Sequence, residues 1–239
     1  MCESPISVII AVNNEEANIT PLYARLQGVL ENVADSWEVI FVDDGSTDTT
    51  RTVIRAIAEQ DARVIPLYSH VPIGQIKAIL VGLHHATGEI LITMDGDLQH
   101  LPEEIPRFVE AIHAGYDLVN GRKVHRQDNL LTRTLPALVA KWVVRTIFSS
   151  TIYDPNSTFR AYRRHLVPSL LAAGECIRFA PLIADLKARV IEIPIQCPRR
   201  IYGRSHFHLV RRLERLLRDV RLLRKIKRTE RVQRGIETL

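Results

Sequence analysis

Carboxylates gather at two places in the 239-residue chain. One is Asp43-Asp44-Gly45-Ser46-Thr47-Asp48 and the other Asp95-Gly96-Asp97, each following a short β-branched, apolar run. Two carboxylates two residues apart can present oxygens to one hard cation, and Mg2+ is typically held by one or two carboxylates plus substrate phosphates. Asp95 and Asp97 therefore suit a clamp on a metal-bound diphosphate. Each segment alone also reads as backbone chemistry: Ser46 or Asp48 as a helix N-cap, Asp95-Gly96-Asp97 as a tight turn. Together at two strand ends they favour a ligand site, because open α/β sheets bind ligands beyond the carboxyl ends of their strands. The first strand opens into Asn13-Asn14-Glu15-Glu16, and neither a G-x-G-x-x-G nor a Walker A lysine motif is present. That argues against dinucleotide and P-loop chemistry. The histidines form no i,i+4 metal pair with supporting ligands, and His100 reads as a surface-loop residue.

The elements that must position these residues alternate in type. Strands are expected at Ile6–Val12, Glu38–Asp43, Val64–Tyr68, Ile90–Asp95 and Asp117–Asn120, with helices around Thr20–Val33, Thr49–Glu59, Gln75–Ala86 and Pro102–Ala114. Thr20-Pro21 reads as an N-cap with proline at the first helical position, and Thr87-Gly88 as the stop of the third helix. Nearly continuous apolar runs such as Ser7–Val12 suit strands covered on both faces. The alternation predicts an open, mostly parallel α/β sheet. After Gly121 the rhythm changes to an amphipathic helical stretch over Asn129–Ser149, helices near Arg163–Ala172 and Pro181–Ala188, and a strand at Val190–Cys197. This later half reads as an extension packed on the sheet.

Composition narrows the classes further. With 46% hydrophobic and 25% charged residues, disorder and low complexity are excluded. Residues 199–239 carry 14 Lys and Arg against 4 Asp and Glu, a net +10, while the first 198 carry −5. The body is acidic and the tail basic. On a helical wheel Leu209, Leu213, Leu216, Leu217, Val220 and Leu223 share one face, with Arg211, Arg215, Arg218, Arg221, Lys225 and Arg228 around the other. This is the pattern of a helix lying in an anionic membrane interface; packing on the body of the protein or a second subunit is the plainer alternative. Three scattered cysteines, Cys2, Cys176 and Cys197, suit neither a disulfide framework nor a zinc site. The expectation is a reduced cytosolic setting, without a leader or a membrane span, since the best apolar window is broken by Lys141 and Arg145. Few aromatics and no recognition motif accompany the basic residues, so no nucleic-acid partner is expected.

An ordered series of motifs carries a resemblance. Ala11-Val-Asn-Asn-Glu15, Asp43–Asp48, Gly74-x3-Ala78-x3-Gly82 and Met94-Asp-Gly-Asp-Leu-Gln99 resemble the family-2 inverting glycosyltransferases of GT-A fold. Pro102–Pro106, Gly121-Arg122, Asp154-x2-Ser157-x-Phe159-Arg160, Glu175-x2-Arg178-Phe179 and Arg200-x2-Gly203-x-Ser205 are similar to the polyprenyl-phosphate sugar transferases among them, the dolichyl and undecaprenyl types. The resemblance implies donor-binding roles for Asn14, Glu15, Asp43, Asp44, Gly45, Ser46, Asp95, Gly96 and Gln99. It implies Mg2+ or Mn2+ on Asp95 and Asp97, a catalytic set of Asp97, Arg122, Asp154 and Arg200, and acceptor contacts from Arg133, Ser157, Arg160 and Ser205. The chain departs from the family pattern at Ala11 and Asn13, at His70–Gly74 before the third helix, and at Thr158, where glycine is usual.

The implied reaction is attack by a lipid phosphate oxygen on the anomeric carbon of a nucleotide sugar. A phosphate monoester has a second pKa near about 6, so this nucleophile needs positioning more than a base. A hydroxyl acceptor on a glycan or protein would need a carboxylate base, for which Asp154 and Glu175 are available. A third reading, from another class, is a nucleic-acid- or membrane-binding scaffold without catalysis. The expected protein is a catalytic domain over 1–205 with a basic helical tail over 206–239, peripheral on the cytosolic face of the membrane. A membrane-protein partner or a homo-oligomer completes the expected set of partners.

Overall fold

A computed structural model describes residues 4–124, 152–154, 157–180 and 188–198. The expected helices at 129–149 and 206–239, most of 181–188, and Arg133, Arg200 and Ser205 lie outside the described residues. The elements are β1 (Ile6–Val12), α1 (Glu16–Val33), β2 (Trp37–Asp43), α2 (Thr50–Gln60), β3 (Val64–Tyr68), α3 (Gln75–His85) and β4 (Ile90–Asp95). There follow α4 (Ile105–His113), β5 (Leu118–Val124), β6 (Arg160–Arg163), α5 (Val167–Ala173) and β7 (Val190–Gln196). Among the described residues no helix is long and apolar enough to cross a membrane.

The strands form one seven-stranded sheet in the order β3-β2-β1-β4-β6-β5-β7. Within it β6 runs antiparallel to both β4 and β5, while the other pairings are parallel. Alternation along β1 explains the layers. Ile6, Val8, Ile10 and Val12 join the core with Ile19, Leu22, Leu26 and Leu30 of α1, Ile54 of α2 and Phe108 and Ile112 of α4. Ile9 faces the opposite side, with Ala78, Ile79 and Leu83 of α3 and Val167 and Leu170 of α5. Each aliphatic side chain removed from water in this way contributes roughly 1.5–3 kcal/mol. Helix α3 can lie this close because residue 82 is glycine; a Cβ there would stand 2.3 Å from Ile9 Cγ2.

The predicted α/β class and the first-half strands hold, and four local expectations are corrected. Helix α1 starts at Glu16, not after Thr20, so Pro21 lies inside it. At this start the Glu15 amide donates to the hydroxyl of Thr50, the first residue of α2, a long-range contact that local sequence does not reveal. Gly88 does not close α3 through a left-handed cap: α3 ends at His85 with Ala86 extended. Instead the Gly88 amide donates to the Ser7 hydroxyl at 2.7 Å, and a Cβ would meet the Ser7 backbone. Strand β5 continues four residues beyond Asn120, and Arg160–Arg163 is a strand inserted between β4 and β5. The later half thus contributes strands to the sheet and is not merely packed upon it.

The fourth correction is His100. It is fully buried, stacked on Phe159 at 5.1 Å, with Phe159 stacked in turn on Phe108 at 4.5 Å. Burial, together with the charge of Lys123, pushes the imidazole pKa down to about 4 against the opposing pull of Asp95. The folded chain therefore refuses a proton that the unfolded chain accepts from about pH 6.5 downward. Stability is unaffected above that pH and declines between about 6.5 and 4, by a total on the order of 3 kcal/mol. We expect the urea midpoint to drop more between pH 7 and 4.5 in the native chain than in His100→Asn; equal drops would refute the assignment.

Candidate functional site

Strand register brings the two acidic clusters together. Val12 is paired with Asp43 on one side, and Ala11 with Asp95 on the other. The loops after β1, β2 and β4 therefore share one crevice at the point where strand order reverses around β1, the usual ligand position in such sheets.

The first two loops are stitched to each other. Asn14, in the left-handed region at φ 56°, accepts through Oδ1 from the amides of Thr47 and Asp48, and its own amide donates to the Ser46 hydroxyl. Asn13 donates to the Asp44 carbonyl at 2.6 Å. Glu15 accepts from the Asn18 side chain. Asp43 is shut off from solvent; it accepts from the Ser46 amide and from the Arg51 guanidinium at 2.9 Å. Asp44 receives the amides of Ile73 and Gly74. Gly45 lies at φ 69°, where a Cβ would strike Pro72 N at 2.7 Å. In this arrangement Asp43, Asp44, Gly45 and Ser46 build the floor of the crevice, with Asp43 acting through its neighbours.

The third loop carries the other carboxylates. Gly96 rests on Val12, whose Cγ1 would be 2.6 Å from an added Cβ, so only glycine lets the turn close here. Leu98, buried at φ 61°, folds the chain back so that the Gln99 amide donates to Asp97 Oδ1 at 3.1 Å. The Gln99 side chain donates to the Pro198 carbonyl at 3.4 Å. Asp95 Oδ1 accepts from Gln75 Nε2 and from Thr158 Oγ1, both at 2.7 Å. Its amide donates to His100 Nδ1 at 3.0 Å, and its Oδ2 lies 3.6 Å from His100 Nε2. Burial pushes the Asp95 carboxyl up, but His100, the charge of Lys123 and the two hydrogen bonds outweigh it and hold the pKa below the ordinary value. Asp95 is therefore a carboxylate at neutral pH.

Opposite these acids lies the end of β5. The Arg122 guanidinium sits over the Tyr153 ring at 5.1 Å, and Lys123 is close enough for its charge to act on Asp95 and His100. Glu192 of β7 accepts from Asn120 Nδ2 and the Asp154 amide, both at 2.9 Å, and from the Tyr153 amide at 2.7 Å. Asp154 is thereby placed at the rim. Ser157 is buried, its hydroxyl accepting from the Phe159 amide. Arg160 is 3% exposed and donates to Asn120 Oδ1 and the Ile177 carbonyl. The enclosed guanidinium braces the loop through these contacts. Glu175 lies exposed on a short 3-10 turn after α5.

The donor set fits a hard divalent cation. Among the described residues no cluster of three acidic, His or Cys side chains exists to cage a metal. The two carboxylates of Asp95 and Asp97 leave the remaining positions to phosphate and water, as Mg2+ demands. His100 Nε2, buried beside Asp95 without a hydrogen-bond partner, marks the same corner as one built for a further polar interaction. Sequence reasoning missed Gln75, Lys123, Asn120 and Glu192 in this setting and misplaced His100. Thr158 alone had a signal, as the departure from glycine.

Comparison with known proteins now adds to the geometry. A glucosyl-3-phosphoglycerate synthase from Mycobacterium tuberculosis, solved with Mn2+, UDP and phosphoglyceric acid, superposes with a TM-score of 0.67 at 21% identity, over 94% of this chain and 78% of that one. The same enzyme with Mg2+ and UDP gives 0.62 at 21%, over 93% and 78%. A mannosyltransferase from Pyrobaculum calidifontis, with GDP-Man and Mn2+, gives 0.63 at 22%, over 92% and 66%. These likenesses establish the GT-A architecture. The sequence model of glycosyl transferase family 2 matches residues 7–171, well over half of the chain, and the protein belongs to that family.

Proposed function

We propose that this family-2 transferase moves a sugar from a nucleotide donor to a polyprenyl phosphate with inversion, using Mg2+ or Mn2+ at Asp95 and Asp97. The carrying observation is the pair of adjacent cations at the end of β5. Arg122 and Lys123 have no acidic hydrogen-bond or ion-pair partner among the described residues; Arg122 lies over the Tyr153 ring, and the charge of Lys123 acts on the Asp95 carboxylate. A donor diphosphate on one side and an acceptor phosphate on the other supply the missing negative charge. The metal complexes of the M. tuberculosis and P. calidifontis enzymes support the donor half of this reading.

A bound divalent cation supplies electrostatic stabilisation to the departing nucleoside diphosphate. Asp95 and Asp97 would hold it, and the Gly96 turn keeps them on one side of the crevice. The acceptor phosphate oxygen forms the new bond to the anomeric carbon as the bond to the diphosphate breaks and its electron pair leaves with the diphosphate. The arginine fork of Arg122, braced by Tyr153, suits the orientation of a phosphate. A hydroxyl acceptor is the second reading, favoured by Asp154, whose carboxylate makes no hydrogen bond among the described residues. The +10 tail is assigned to the anionic surface of the cytosolic leaflet.

Incubation of the full chain with labelled sugar nucleotides, Mn2+ and undecaprenyl or dolichyl phosphate should move label into the organic phase. Asp97→Ala should lower that rate about 100-fold or more, whereas Asp154→Asn should change it by less than tenfold. Label confined to soluble acceptors, with Asp154→Asn down by about 100-fold or more, would establish the hydroxyl reading instead. Arg122→Ala should reduce kcat/KM for the lipid phosphate by about 10- to 100-fold, the loss expected of a charge-assisted hydrogen bond; an unchanged value refutes the phosphate role. Flotation with anionic liposomes should be lost on deletion from Leu209 onward, and retention would reject the membrane assignment.

A further inference from the structure

His100 has two nitrogens in different circumstances. Nδ1 accepts the Asp95 amide at 3.0 Å, so the proton of the neutral ring is on Nε2. That N–H is fully buried, lacks a hydrogen-bond partner, and lies 3.6 Å from Asp95 Oδ2. Buried donors are rarely left unpaired, because each costs roughly 1–3 kcal/mol. Across the carboxylate, Oδ1 is pinned by Gln75 and Thr158. Oδ2 is the oxygen left to turn. The ring itself cannot follow, since it is stacked on Phe159 within the core.

We propose that His100 is a positioning residue for Asp95: its Nε2–H is held ready to close on Oδ2 and fix the carboxylate in its ligand orientation when metal and diphosphate enter. This rests on the reading of Asp95 as a metal-diphosphate ligand. The backbone bond to Nδ1 and the side-chain bond from Nε2 grip one residue at two points, so the carboxylate plane is set by the same ring that anchors its main chain. Thr158, standing where the resembling family has glycine, completes the grip from the β6 side. Such outer contacts to a ligand typically change metal affinity about 10- to 100-fold when removed.

Two substitutions separate the two nitrogens. Asn keeps an acceptor near the Nδ1 position and has no reach to Oδ2; Gln carries an amide near the Nε2 position and leaves the Asp95 amide unpaired. Mn2+ binding to the full chain in the presence of UDP or GDP is read by the electron paramagnetic resonance of free Mn2+. The expected result is a loss of about tenfold in Mn2+ affinity for His100→Asn, with His100→Gln within about threefold of the native chain. The inference is overturned by equal losses in both variants, which a packing role alone would give. Unaltered affinity in both, or loss confined to Gln, overturns it too. A native chain that holds Mn2+ with neither nucleotide removes the site reading itself, and this inference with it. Should a variant not fold, nitrogen-15 spectra of the native chain decide: the His100 proton should be on Nε2, and its signal should move downfield on addition of Mg2+ with the nucleotide. A proton on Nδ1, or an unmoved signal, rejects the proposal.

Discussion

Asp95 ends the central strand β4 and is gripped from three directions. Gln75 reaches it from the first turn of α3, Thr158 from the loop before β6, and His100 from the loop that follows. Register with Ala11 fixes its height on the sheet. A carboxylate kept ionised in so enclosed a place is expensive unless it is hydrogen-bonded and opposed by positive charge. The hydrogen bonds come from α3 and the loop before β6, and the opposing charge comes from Lys123 on β5. The insertion of β6 between β4 and β5 is what brings these contributions to one point. Topology and electrostatics are thus one constraint.

That constraint also explains why so much polar chemistry is internal. Asp43, Asp44, Asn14 and Arg160 are all charged or polar residues within site motifs, and all are held by the chain itself. A buried polar group costs unless paired, so these pairs rigidify the loops around the crevice while freeing few atoms for ligands. On the proposed reading the substrate-facing groups are those at the rim: Asp97, Arg122 with Lys123, and Asp154. The proposed reaction holds two anionic partners close together, which calls for a stiff floor and a charged rim, since misplacement by about 1 Å is already costly to such a reaction.

The parts legible in the sequence were those with a period or a local motif. Strand β1 could be read from its nearly continuous apolar run, and the Asp95-Gly96-Asp97 turn from its carboxylates. Long-range contacts were not legible. Nothing near residue 100 announces that Phe159, fifty-nine positions away, will stack on it. The same holds for Glu192, which looks like one acid in a β-strand until three donors from Asn120 and the 153–154 amides converge on it. Arg160 shows the reverse: its motif suggested a ligand contact, and the fold encloses it among Asn120 and the Ile177 carbonyl, which nothing local announces. Pro21 and Gly88 show that residues favoured at helix ends can be used elsewhere, inside a helix or beneath a strand.

The charge split noted in the sequence acquires a place through β7. The amide of Gln196 donates to Glu104, and Arg107 of α4 donates to the Pro194 carbonyl, so the end of β7 is tied to α4. Two residues on, the Pro198 carbonyl accepts from Gln99, within the loop that carries Asp97. The basic stretch begins at Arg199, and consecutive Cα atoms are about 3.8 Å apart. The described chain therefore ends at Pro198, beside the loop that carries Asp97, and the +10 sequence follows it. On the proposed reading the acidic motifs take the metal-bound donor, and the basic sequence that follows Pro198 takes the lipid phosphate. This is why the lipid-phosphate reading accounts for both halves of the charge distribution, where a hydroxyl acceptor accounts only for the first.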